Sequence, residues 1–124
     1  MTFSNAVSTG FSNFFNPYGR ASRSEYWWYW LFLFIVAIVI TFIMLIIEHL
    51  PGFGVAFVSI FSGIIELFMS ITILMAAIRR LHDIGKSGWN VCWSFIPIVG
   101  AIYVIVLLCR PSEQGANRYG EMPQ

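Results

Sequence analysis

Arg79-Arg80-Leu81-His82-Asp83-Ile84-Gly85-Lys86-Ser87-Gly88-Trp89 interrupts two long apolar runs, and its reading decides the fold. The stretch holds three of the seven Lys and Arg, one of the two His and the only Asp, while the runs flanking it are nearly free of charge. Charge gathered at the end of charge-free runs marks the water-side end of a helical hairpin in a bilayer. The sequence thus says where the chain resides and how it is built, and leaves open what it does there.

Composition agrees. The 124 residues are 58% hydrophobic, 18% aromatic and 10% charged, with a mean hydropathy of +0.75. That is too little polar side chain to cover a water-soluble globule, so the expected home is lipid, with residues 1–124 forming one membrane domain. A net charge of +1, spread over segment ends, gives no concentrated basic face and argues against nucleic acid as a partner. A bundle this small has a modest core, which makes self-association an expectation. Cys92 and Cys109 both fall inside an apolar run, where a thiol behaves as a small hydrophobe; no disulfide, metal site or cofactor is expected.

Working outward, residues 26–47 carry no charge, and about 22 residues make roughly 33 Å of helix, a match to a hydrocarbon core of ~30 Å. Arg20 and Arg23 precede Tyr26-Trp27-Trp28-Tyr29-Trp30, an order of cations then aromatic rings that marks the headgroup level. Ser22 or Ser24 suits the helix cap, and Glu25 its positive end. The run is about twice the length of a signal core of ~7–15 residues and lacks a cleavage site, so it is expected to be retained. Glu48-His49-Leu50-Pro51-Gly52 reads as a tight connection, after which a second span is expected over about 54–77.

Beyond the hinge, residues 89–109 are expected to form a third span, kinked near 95–100 where Pro97 removes a backbone donor and Gly100 follows. Before the first span, Phe3, Val7, Phe11 and Phe14 or Phe15 recur at helical spacing. A short helix over about 3–15 is expected, lying at the membrane surface or packing its aromatics on the bundle. The fold class is therefore an all-α integral membrane protein with three transmembrane helices and one interfacial helix. Counted over three spans, five cations (Arg20, Arg23, Arg79, Arg80, Lys86) share one side and two (Arg110, Arg118) the other, which favours a cytoplasmic N-terminus and hinge. A re-entrant third segment, which the Pro97–Gly100 break allows, would return the tail to the cytoplasmic side.

Four pieces in order, Gly19-Arg20-Ala21-Ser22-Arg23-Ser24-Glu25-Tyr26-Trp27, the hinge, Ile96-Pro97-Ile98-Val99-Gly100 and Gly115-Ala116-Asn117-Arg118-Tyr119-Gly120, span nearly the whole chain. With them the sequence resembles the bacterial family known as domain of unknown function 805, the YhaH and YhaI type. The resemblance implies a small multi-pass protein of the bacterial inner membrane, with no catalytic residue and no established activity.

The residues that could bind or hold structure are Arg20, Arg23, Glu25, Arg79, Arg80, His82, Asp83, Lys86 and Trp89. The arginines can neutralise the negative end of the second helix while Asp83 pairs with Arg79, Arg80 or Lys86. Alternatively, the basic group holds anionic lipid headgroups beside indole rings. A metal or catalytic role for His82 with Asp83 lacks a ligand set. Glu25 and Asp83 are each expected either to find a guanidinium, because bidentate pairing suits a crowded interface, or to stay solvated as charges at helix ends. Asn117-Arg118-Tyr119 reads as a turn locking the tail to the bundle, or offers Arg118 to a lipid phosphate.

Glu66 is the sole mid-span carboxylate, on a helical face with Ser59, Ser62, Gly63, Ser70 and Ala77 that should turn toward another helix. It is expected either to be a neutral acid hydrogen-bonded to a neighbour or to serve as a proton or cation site in an oligomeric channel or carrier. No nucleophile stands with a base and an orienting partner, so no enzymatic activity is expected. The expected partners are membrane lipids, anionic ones included, a second copy of the chain, or other membrane proteins.

Overall fold

The computed structural model describes residues 2–50 and 54–123; Pro51 and Gly52, expected to stop the first long helix, lie outside the described residues. The described residues form α1 (Phe3–Ser12), α2 (Arg23–Glu48), α3 (Val55–Asp83), a 3-10 helix (Gly88–Phe95) and α4 (Val99–Leu108). An isolated bridge between Asn117 and Gly120 is the sole β-type pairing among them.

Ser22 caps α2, its Oγ accepting from the Glu25 amide at 3.2 Å, and the helix then runs 26 residues, roughly 39 Å at ~1.5 Å per residue. α3, of 29 residues, returns antiparallel to it: Glu25 faces Arg79, and the Tyr29 hydroxyl meets the Thr72 Oγ1 at 2.7 Å. Only 6% of the most apolar stretch of each long helix is buried by the protein itself. Phe34, Ile38, Phe42, Phe57, Ile60 and Ile64 all lie exposed. A water-soluble core helix hides such side chains, so these are surfaces for lipid.

Side-chain packing gathers instead at the charged end. Tyr26, Tyr29 and Leu33 of α2, Ala76, Ala77 and Leu81 of α3, and Val104, Leu107 and Leu108 of α4 form one buried cluster. α1 lies across the hairpin just below it. Phe3 sets its edge on Trp28 and Phe32, Phe11 on Tyr29 and Phe32, and Phe14 meets Phe68. Gly10 makes that approach feasible, since a Cβ there would fall 2.3 Å from the Tyr29 ring. The expected N-terminal helix thus forms, ends at Ser12 rather than 15, and packs its aromatics on the hairpin at the level of the tryptophan belt.

The third apolar run is not one continuous helix over residues 89–109. Its first part winds as the 3-10 helix, and α4 has ten residues, about 15 Å long against a hydrocarbon core of ~30 Å. The break is sharper than the expected kink for three local reasons. Pro97 has no amide to donate. Ile98 takes φ 65° and ψ −68°, closing a γ-turn in which the Val99 amide donates to the Pro97 carbonyl at 2.7 Å. Gly100 lies against the Trp93 carbonyl, where an added Cβ would fall 1.7 Å from the oxygen.

After α4 the tail folds over the hinge, the Glu113 amide donating to the Asp83 carbonyl at 2.8 Å. The tail therefore lies at the same end as Arg20 and the hinge, and the five-to-two division of cations does not describe this structure. Arg110 and Arg118 join the other five at one end of the hairpin.

Candidate functional site at the charged end of the hairpin

Asp83 is the centre of this end and is fully buried. Its Oδ1 accepts from Arg20 Nε at 3.0 Å, while Oδ2 accepts from Arg80 Nη1 and from the Ser112 hydroxyl. One carboxylate thus joins the pre-helical segment, α3 and the tail. The strength of such bonds comes from charge on both sides and exclusion of water.

Each arginine also collects backbone carbonyls. Arg20 donates to Gly115 at 2.6 Å, Gly120 at 3.3 Å, Glu113 at 2.6 Å and the Asp83 carbonyl at 3.2 Å. Arg80, 0% exposed, donates through Nε to Leu108 at 3.0 Å, through Nη1 to Ala21 at 3.4 Å and through Nη2 to Arg110. Leu108 closes α4, so Arg80 satisfies carbonyls that a helix end leaves without partners and sets a cation at its negative pole. Arg79 reaches Glu25 Oε1 at 3.5 Å, both side chains nearly buried, and its own carbonyl accepts the Ala21 amide at 3.0 Å.

A second layer seals the tail. His82 stacks flat on Tyr119, ring centroids 3.9 Å apart and 3° from parallel, and its Nδ1 lies 3.1 Å from the Gly19 carbonyl. Arg118 covers the same ring, its guanidinium carbon 4.8 Å from the centroid. Asn117 donates to the His82 carbonyl and to Glu113 Oε2, each at 3.0 Å, and accepts from the Tyr119 amide at 2.8 Å.

The structure thus brings together Arg20, Glu25, Arg79, Arg80, His82, Asp83, Asn117, Arg118 and Tyr119. Asp83 pairs with Arg20 and Arg80, not with Arg79 or Lys86. Lys86 is exposed, Trp89 is 82% exposed, and Arg23 lies outside the cluster, its Nη1 3.5 Å from the Cys109 carbonyl. Glu66 is also exposed, as are Ser59, Gly63 and Ser70 on the same face, although Glu66 and Ser70 flank a groove against α2. Of that face only Ala77 is buried. Sequence reasoning missed Ala21, Ser112 and the carbonyls of Leu108, Gly115 and Gly120. Only the Gly-rich tail gave a signal for any of them.

Among the described residues no group of three His, Cys, Asp or Glu could hold a metal ion. Arg20 and Arg80 have their donors committed within the protein, while Arg79 Nε is buried without a partner among the described residues. What stays accessible is their surround: Arg23, Lys86 and Arg110, none within ion-pair distance of a carboxylate among the described residues. A groove of about 420 Å³ lies beside Arg23, lined also by Ser22, Ser24, Pro111, Ser112 and Gln114.

The family model described as "Protein of unknown function (DUF805)" matches residues 14–121. The chain is similar to inner membrane protein YhaI of Escherichia coli K12, 35% identical over 107 residues, which cover 86% of this chain and 84% of that one. YhaI of Escherichia coli O157:H7 matches over the same span with the same identity. No solved structure matches.

Proposed function

The chain belongs to the DUF805 family of proteins of unknown function, and from that premise we propose that it is a non-enzymatic inner-membrane protein that associates with anionic lipid headgroups. In this reading α2 and α3 cross the bilayer, and the Gly88–Leu108 segment enters and leaves by the same leaflet. The N-terminus, hinge and tail then share the cytoplasmic side. The support is charge: all seven Lys and Arg lie at one end, as the positive-inside bias requires, while Glu48 and His49 mark the other.

The observation that carries the headgroup reading is the division of those cations. Arg20, Arg79 and Arg80 are used inside, holding the cap, whereas Arg23, Lys86 and Arg110 are exposed around it with no carboxylate partner among the described residues. Basic side chains near an anionic leaflet contribute about 1 kcal/mol each, so three of them favour acidic over zwitterionic lipid by about 3 kcal/mol. The groove beside Arg23 is also lined by Gln114, whose amide can donate to a phosphate. The reactive-looking pair His82 and Asp83 is stacked and ion-paired within the cap, which supports a non-catalytic role.

Native mass spectrometry tests this. Protein carrying Arg23→Gln, Lys86→Gln and Arg110→Gln together should retain far less co-purified anionic lipid than the wild type at unchanged thermal stability. Equal retention refutes headgroup association.

A further inference from the structure

About midway along the hairpin lies a second polar feature, distinct from the cap. Glu66 is roughly 16 Å along α3 from Val55 and roughly 25 Å from Asp83, at ~1.5 Å per residue. It is exposed, and among the described residues its carboxylate pairs with no cation and accepts no hydrogen bond; Ser70 donates to its backbone carbonyl instead. An ionised side chain facing hydrocarbon at that depth is costly unless something neutralises it.

The carboxylate opens into a groove of about 300 Å³ between the long helices, lined by Trp30, Phe34 and Ala37 of α2 and Glu66, Met69 and Ser70 of α3. Trp30 and Phe34 stack with ring centroids 5.2 Å apart and 8° from parallel, and both rings are partly exposed. A neighbouring depression of about 430 Å³ shares Phe34 and Ala37 and runs on along α2 past Ile38 to Leu45. Joined, they form a shallow, open apolar trough along α2, long enough to seat a small organic molecule.

Chemistry narrows the occupant. A hard metal ion wants six or more oxygen ligands, and only Glu66 and Ser70 bring side-chain oxygens here. An acyl chain fills the groove but leaves the carboxylate uncompensated. A second copy brings a second carboxylate. An acidic residue and two aromatic rings lining one apolar trough are complementary to a weakly hydrated organic cation, which draws on ion pairing and on the ring quadrupoles together.

We propose that the groove between α2 and α3 is a binding site for a lipophilic organic cation of the quaternary ammonium or arylphosphonium class, held by Glu66, Trp30 and Phe34. Such a molecule partitions into the bilayer and reaches the site laterally, without passing the cap. The site stands independently of the headgroup reading, since none of its residues belongs to the cationic ring.

The test is equilibrium binding of radiolabelled tetraphenylphosphonium to the full chain in nanodiscs of zwitterionic lipid, with empty nanodiscs subtracted. Wild-type protein should bind saturably. Glu66→Gln, nearly isosteric, should weaken binding on the order of tenfold or more, and Trp30→Leu by a smaller factor, with helix content unchanged by circular dichroism. The Arg23→Gln, Lys86→Gln, Arg110→Gln protein should bind as the wild type does. Binding unaffected by Glu66→Gln, or no saturable component above empty nanodiscs, overturns the proposal. So does a wild-type dimer in native mass spectrometry that Glu66→Gln dissociates without any cation bound, because a second copy then fills the groove.

Discussion

Arg20 and Asp83 stand 63 residues apart in the chain and meet at 3.0 Å, with side chains 1% and 0% exposed. Removing one partner of such a pair strands a buried charge, at a cost of about 3–5 kcal/mol. Asp83 has two arginines to lose, so Asp83→Asn should lie at the upper end of that range. Thermal unfolding in mild detergent measures it. A double-mutant cycle on Arg20 and Asp83 should return a coupling of up to about 3 kcal/mol, and a coupling near zero would refute the contact.

Arg80 donates to four acceptors at once, the carbonyls of Leu108, Ala21 and Arg110 and the carboxylate of Asp83. A lysine keeps the charge but lacks the planar fork, so Arg80→Lys should still lose about 2 kcal/mol or more through unsatisfied carbonyls. Recovery of full wild-type stability in the lysine variant would mean that charge alone matters there.

Single-cysteine labelling in intact cells checks the path of the chain. In a background lacking Cys92 and Cys109, cysteines at Lys86 and Gln114 should react from the same side of the membrane, and one at His49 from the opposite side. Labelling of positions 86 and 114 from opposite faces would restore a third full crossing.

The turn into α4 carries strain that substitution can relieve or worsen. Ile98 is β-branched and sits at φ 65°, so Ile98→Gly should raise stability by about 1 kcal/mol despite the flexibility it adds. Gly100→Ala should do the reverse, by about 1–3 kcal/mol, because the new methyl overlaps the Trp93 carbonyl. Urea or heat titration of both variants reads the signs directly.

Length and apolarity suffice to read α2 and α3 from sequence, because a charge-free run of membrane length has few other uses. The same criterion misleads for residues 89–109, where total apolarity hides a break that depends on one proline, one strained isoleucine and one glycine contact. Within the cap, the carboxylates and guanidiniums were visible as candidates, since buried charge needs opposite charge. Which arginine takes which acid was not, and nothing in a side-chain alphabet marks the carbonyls of Leu108 or Gly115 as acceptors. Glu66 illustrates a different gap: its small-residue face resembles one that packs tightly on another helix, yet Glu66 and Ser70 stay exposed at a groove beside α2.

Arg20 Nη1 holds the carbonyls of Gly115 and Gly120, so this donor finds its acceptors only after the tail has been made, whereas Nε and Nη2 already have Asp83. Completion of the cap therefore waits for the tail. A chain cut short before Gly115 would keep the Arg20–Asp83 pair and every acceptor of Arg80, and would leave one nitrogen, Arg20 Nη1, without its carbonyls.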